Sequence, residues 1–241
     1  MSDRIILAIE TSGLTGSVAL GNMERRFDAR RLSADRRHTS ELLPLVREML
    51  DAAGLALADV AVFAYSAGPG SFTGLRVAAT VARMIQSAVG CRVVAASTLE
   101  VVARNALAAG CPPPRIVAML DARRGQAFGA TFEPRQGGEL EPVVPPGIYE
   151  PARLLADTPP PFCIVGTGIA VHRAACEASA GQVLDEAFWT PAAEQVLHIA
   201  RREASAGRFC PPEEIRPYYL RPPECEEVYE QRRAEARRRR R

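Results

Sequence analysis

The stretch Val60-Ala-Val-Phe-Ala-Tyr-Ser-Ala-Gly-Pro-Gly-Ser-Phe-Thr-Gly-Leu-Arg-Val-Ala-Ala-Thr-Val-Ala-Arg-Met84 constrains this chain more than any other part of it. Residues up to about Tyr65 read as a strand buried on both faces, Gly68, Pro69, Gly70 and Gly74 as a tight loop, and Ser71 to Val89 as a helix. A strand, a glycine loop and a helix in that order predict an α/β fold. Such a loop sets backbone N–H groups at a helix N-terminus, where the macrodipole favours an anion or a partner's carboxylate. The familiar nucleotide loops do not match. Leu75 follows Gly74 where a P-loop requires Lys, and Thr73 stands where the last Gly or Ala of a dinucleotide fingerprint belongs. A nucleophile elbow fails as well, because Pro69 precedes Ser71 where that motif needs Gly.

The chain has 241 residues, enough for one large domain or two lobes around substantial cores. All 30 of its Lys and Arg residues are Arg. That excludes Schiff-base, lysine-base and P-loop-lysine chemistry. Cys91, Cys111, Cys163, Cys176, Cys210 and Cys225 form no CxxC pair. With no signal peptide and a strand beginning near Arg4, the expectation is reduced thiols in a cytoplasmic protein. No apolar run reaches the roughly 20 residues of a membrane span. Charge is uneven: the net value is +2, yet seven arginines and one glutamate lie between Gln231 and Arg241, so the body is mildly acidic and the tail strongly basic. A run such as Arg237 to Arg241 suits either a solvated end or contact with nucleic acid phosphate.

Ile5-Ile-Leu-Ala-Ile9 is a continuous apolar run, and after the turn Glu10-Thr-Ser-Gly-Leu-Thr-Gly16 an extended pattern resumes from Ser17 to Leu20, which predicts a hairpin. A helix follows from Thr39 or Ser40, with Glu41 and Pro44 suited to its first turn. Its Leu42, Leu43, Leu45, Val46, Met49 and Leu50 cover an arc wider than one core-facing stripe needs. The helix after the glycine loop is broader still. Arg76, Thr80, Arg83 and Ser87 make one narrow polar stripe, and apolar residues including Val77, Val81 and Ile85 take most of the remainder. Such a helix is covered on more than one side, by other parts of its own fold or by a second subunit. Cys91 to Ala96 reads as a strand and Thr98 to Ala109 as a helix ending at Gly110, where Cys111-Pro-Pro-Pro114 breaks the chain. A second strand, turn and strand then span Ile116–Leu120, Asp121–Gly125 and Gln126–Phe132. Strand Phe162–Val165 leads into a helix through Ala178, and Pro191 to Ala206 is helical. A hairpin opening each half predicts an ancient duplication and a two-lobed architecture: residues 1–110, a smaller lobe 111–222 and a basic tail 223–241.

With Glu10-Thr-Ser, His38-Thr-Ser-Glu-Leu-Leu-Pro44, Ala67-Gly-Pro-Gly-Ser-Phe-Thr-Gly-Leu-Arg76 and Asp121-Ala-Arg-Arg124 in view, the chain resembles the TsaB (YeaZ) family. The resemblance is dense from Ile5 to about Phe128, and Val165-Gly-Thr-Gly168 and Pro217-Tyr-Tyr-Leu-Arg221 extend it. It implies an actin-like ATPase (ribonuclease H-like) fold in two lobes, the second reduced. It also implies a part in making threonylcarbamoyladenosine beside the tRNA anticodon, as the non-catalytic partner of a TsaD homologue in a heterodimer. A TsaE-type ATPase would join them, with tRNA bound through the complex and ATP used by the assembly. Catalytic relatives carry a His-x-x-x-His metal pair after the strand that here ends near Val94, and the matching positions are Ala96 and Glu100. Where those relatives have glycines opening the second lobe, Ala122, Arg123 and Arg124 stand.

The resemblance therefore implies no metal, no catalytic residue and no cofactor of the chain's own. Candidates for contact with nucleotide are Glu10, Thr11, Asp121 and Arg123. For the partner interface and its loop they are Leu42, Val46, Met49, Gly68, Gly70, Ser71, Thr73, Gly74, Arg76 and Val81, and the same helices would serve a homodimer of the isolated chain. His38, His172 and His198 have no metal-ligand spacing to one another. The alternative is an enzyme in its own right, a degenerate ATPase or a glycoprotease-like peptidase.

Overall fold

The computed structural model describes residues 4–33, 38–110 and 114–221, without the side chains of 38 and 39. The basic tail, Cys111, Cys225 and the side chain of His38 lie outside the described residues. The first apolar run is β1 (Ile5–Glu10), which pairs antiparallel with β2 (Ser17–Gly21), the expected hairpin. β3 (Arg26–Arg31) adds an edge strand that the sequence reading does not contain. Charged side chains dominate it, a composition that protects a free sheet edge from pairing with another chain. Helix α1 (His38–Ala52) leads to β4 (Val60–Gly68), α2 (Phe72–Val89), β5 (Arg92–Ser97) and α3 (Thr98–Ala108). β4 runs past Tyr65 to Gly68, because its end pairs with β5 as far as Ser97.

The second half repeats the pattern: β6 (Arg115–Asp121), β7 (Ala127–Pro134), β8 (Leu140–Tyr149), α4 (Pro151–Ala156) and β9 (Phe162–Val165). The helix expected through Ala178 is interrupted at His172, giving α5 (Gly168–Val171) and α6 (Arg173–Glu177). β10 (Gln182–Val183) and α7 (Ala193–Ser205) complete the fold. The strand orders are β3-β2-β1-β4-β5 and β8-β7-β6-β9-β10. In each, the opening strand is antiparallel to its hairpin mate and parallel to the strand that follows the next helix, so the two sheets share one topology. The duplication expected from the hairpins is present in the strand order. The second lobe keeps five strands, and its reduction lies in its elements: α4 has 6 residues against 15 in α1, and β10 has 2.

Strand pleating sends alternate residues into separate cores. Leu7 and Ile9 of β1 pack under α1 and α2, while Ile6 and Ala8 face α7. Ile116 and Ala118 of β6 face α3, and Val117 and Met119 face α4 to α6. Each sheet is thus the middle of three layers, an α/β actin-like arrangement. A division at Gly110 does not separate these layers. Leu99, Val102, Ala103 and Ala106 of α3, which precede Gly110, pack on the second sheet, and Val196, Leu197, Ile199 and Ala200 of α7 return to the first. Among the described residues no helix is long and apolar enough to cross a membrane.

Candidate functional site

The glycine loop between β4 and α2 lies against the turn that follows β1. A Cβ on Gly74 would stand 1.8 Å from the Thr11 carbonyl oxygen, and one on Gly70 would stand 2.6 Å from that of Ser12. Gly68 has φ +137°, and its Cβ would meet the Tyr218 carbonyl oxygen at 2.2 Å. Only glycine fits such approaches. Two of the N–H groups expected to face an anion have partners within the chain. The Ser71 N–H donates to the Ser12 carbonyl (2.7 Å), and the Gly74 N–H donates to Ser71 Oγ, the N-cap of α2 (3.3 Å). Thr11 Oγ1 donates to the Gly74 carbonyl (2.8 Å), closing the clamp from the other side.

Glu10 is fully buried behind this turn. Its Oε1 accepts from the N–H and Oγ of Ser12, both at 2.5 Å, and its Oε2 accepts from Ser66 Oγ. Burial pushes the carboxyl above its ordinary range, against the pull of the Ser12 and Ser66 hydrogen bonds. Of the nucleotide candidates, Glu10 and Thr11 are therefore sealed in the fold. Asp121 and Arg123 instead line a cleft of about 1250 Å³ between the lobes, together with Ser12, Ser71, Trp189 and Tyr219.

Asp121 is a turn residue whose Oδ1 accepts from the Arg123 N–H (2.8 Å). Arg123 and Arg124 adopt left-handed backbone, φ +63° and +54°, at the positions where the catalytic relatives are expected to have glycine. The Arg123 side chain is 88% exposed. At the expected metal-pair positions, Ala96 is buried in the first lobe, and the Glu100 carboxylate accepts from Arg202 Nη1 at 2.5 Å. His172 Nε2 lies 3.2 Å from the Gln126 carbonyl oxygen. No group of three or more His, Cys, Asp or Glu side chains with metal-site geometry occurs among the described residues.

Between α1 and α2 runs an open groove of about 470 Å³. Leu43 (44% exposed), Phe72 (39%) and Met84 (56%) stand out along it. Of the residues expected to form a partner face, Thr73 and Arg76 are exposed along the groove and others sit beneath it. Val46 and Met49 are buried in the first core, and Leu42 and Val81, also buried there, reach only the groove's floor. The wide apolar arcs have two tenants, a core side that takes Val46 and Met49 and a groove side that takes Thr73 and Arg76, with Leu42 and Val81 between them. Phe72, Arg76, Thr80 and Met84 follow one another at intervals of four, so part of the polar stripe runs through the groove. The Arg76 guanidinium lies 3.8 Å over the Phe72 ring, and its Nε donates to Tyr219 Oη (3.1 Å). Tyr219 stacks on Phe72 with ring centroids 5.4 Å apart. Leu43 and Met84 belong to the wide apolar faces expected from sequence, whereas Phe72 is not among the residues expected there; its four-residue spacing with Arg76, Thr80 and Met84 is the signal that places it.

A family profile described as TsaD, tRNA N6-adenosine threonylcarbamoyltransferase, matches residues 32–202. The tRNA threonylcarbamoyladenosine biosynthesis protein TsaB of Escherichia coli (strain K12) is 32% identical to this chain, covering 90% of it and 94% of the relative. TsaB of Bacillus subtilis (strain 168) is 28% identical, over 70% and 73% of the two chains. The solved structure of YeaZ from Pseudomonas aeruginosa superposes with a TM-score of 0.80 at 29% identity, covering 90% of this chain and all of that one. The chain belongs to the TsaB (YeaZ) family of this wider TsaD group.

Proposed function

We propose that this chain serves the formation of threonylcarbamoyladenosine in tRNA as the non-catalytic partner of a TsaD-type transferase, which seats on the groove between α1 and α2. The observation that carries the docking reading is the exposed apolar line of Leu43, Phe72 and Met84 on two helices whose other faces are already buried in the chain's own core. An apolar line flanked by Arg76 and Thr80 has the make-up of a protein interface, an apolar centre with a polar rim. The non-catalytic reading draws on three features of the remaining site. Glu100 is engaged by Arg202, Glu10 is sealed, and the turn of the second lobe carries Arg123 and Arg124 where backbone would have to hug phosphate. The transferase would hold the metal and nucleotide, a TsaE-type ATPase would complete the assembly in the cytoplasm, and tRNA would bind through the complex. Without its partner the chain can pair with a second copy through the same groove.

Reconstitution tests this reading. The chain purified alone is expected to release no phosphate from ATP. Added to the transferase of its own organism with the remaining components, it is expected to restore modified adenosine, read by mass spectrometry of digested tRNA. Undiminished modification in its absence would overturn the reading. So would ATP turnover by the isolated chain that disappears in Asp121→Asn.

A further inference from the structure

We propose that residues 215–221 form a strap that sets the opening between the two lobes, with Arg221 as its latch. The polypeptide crosses between lobes covalently where β5 enters α3 and where Thr190 leads into α7. The strap is a third crossing, held to each lobe by non-covalent contacts. It starts on the first lobe, where the Cys210 N–H donates to the Val93 carbonyl (2.8 Å) and Ile215 is fully buried in the first core. Arg83 Nε donates to the Ile215 carbonyl (2.6 Å), Tyr65 Oη to that of Arg216 (3.2 Å), and the Tyr218 N–H to that of Ala67 (2.7 Å). Tyr219 then stacks on Phe72 and accepts from Arg76 Nε, both residues of the groove. Leu220 packs against the second-lobe core, and Arg221 donates to the Ala122 carbonyl and to Gln126 Oε1.

Those acceptors belong to the turn between β6 and β7, in which two arginines hold left-handed backbone that favours glycine. Within the turn, the Ala122 N–H donates to the Gln126 carbonyl (2.9 Å) and the Gln126 N–H to that of Arg123 (3.0 Å). A guanidinium fork fixed from the first lobe braces this turn from outside and ties it to Gly68, whose missing Cβ leaves room for the strap backbone. Tyr218 to Arg221 line the same cleft as Asp121 and Arg123, so the latch joins a first-lobe segment of its lining to the second-lobe turn.

Hydrogen exchange read by mass spectrometry on the full chain tests the assignment. In Arg221→Ala, amides of residues 121–127 are expected to exchange about tenfold faster, the scale of losing a charge-assisted hydrogen bond. Amides of β1 and β4 are expected to keep their protection. Equal exchange of the turn in Arg221→Ala and the unaltered chain would overturn the proposal. If Arg221→Ala does not fold, Gln126→Ala removes only the side-chain acceptor. Faster exchange of the turn then supports the latch, and unchanged exchange overturns it.

Discussion

Gly74 and Glu10 carry the sharpest consequences at the scale of single residues. With the Thr11 carbonyl oxygen 1.8 Å from any Cβ at position 74, Gly74→Ala must push α2 off the β1 turn. The expected loss of stability is at least the upper part of the ~1–3 kcal/mol of core overpacking, read as a lowered melting temperature. A melting temperature unchanged by Gly74→Ala would contradict the close approach. For Glu10, burial raises the carboxyl above 4.5, its ordinary value. A raised carboxyl stabilises the fold fully below that value, and the contribution is lost as pH climbs toward the folded-state value. Glu10→Gln keeps an acceptor for Ser12 and gains a donor for Ser66, so it removes this pH-dependent loss. The variant is expected to melt above the unaltered chain at pH 8, with the gap narrowing toward pH 4.5. A gap that does not change with pH would show that the fold does not raise the Glu10 carboxyl. The glycines were visible in the sequence as a motif, but their physical reason was not. Thr11, Ser12 and Tyr218 reach them from distant parts of the chain, and nothing local in Gly68 to Gly74 announces those neighbours.

Helices α1 and α2 make the case at the scale of elements. Their excess apolar surface was legible from periodicity, because an arc too wide for one contact implies two. Which residue faces which contact was not legible, since periodicity gives angles around an axis and not the direction of the sheet. Val46 and Val81 illustrate the point: each is no more than 6% exposed and packed in the first core. A glutamate at either would bury an unpaired charge and report on folding rather than docking. Leu43→Glu and Met84→Glu are the informative changes. Each is expected to leave the melting temperature nearly unaltered and to weaken capture of the transferase about thirtyfold or more, the effect of losing an interface hot spot of ~2 kcal/mol. Scanning calorimetry measures the first and calorimetric titration the second, and tight binding by both folded variants would remove the groove from the interface. The edge strand β3 escaped the sequence reading for a related reason. Its Arg-Phe-Asp-Ala-Arg-Arg stretch has Phe27 as its one large apolar residue, too weak a strand signal by itself, and pairing with β2 makes it a strand.

For the whole molecule, the crossing of α3 and α7 means that neither half of the sequence carries a complete core. A fragment of residues 1–110 lacks α7 and leaves Ile6, Ala8, Val62 and Ala64 uncovered, while its own α3 lacks the second sheet. It is expected to be insoluble or to show no cooperative melting by circular dichroism; a sharp transition from that fragment would refute the interdependence. The two-lobed plan and its repeat were readable from the paired hairpins, because each hairpin is a local event. The exchange of helices was not, because it joins residues separated by nearly the whole chain. That exchange also orders events on the ribosome. The face of β1 that α7 will cover is made first and its cover almost last, so at about 5–20 residues per second it stays bare for on the order of ten seconds. The nascent chain must therefore be shielded from its neighbours until Ser205 has left the exit tunnel.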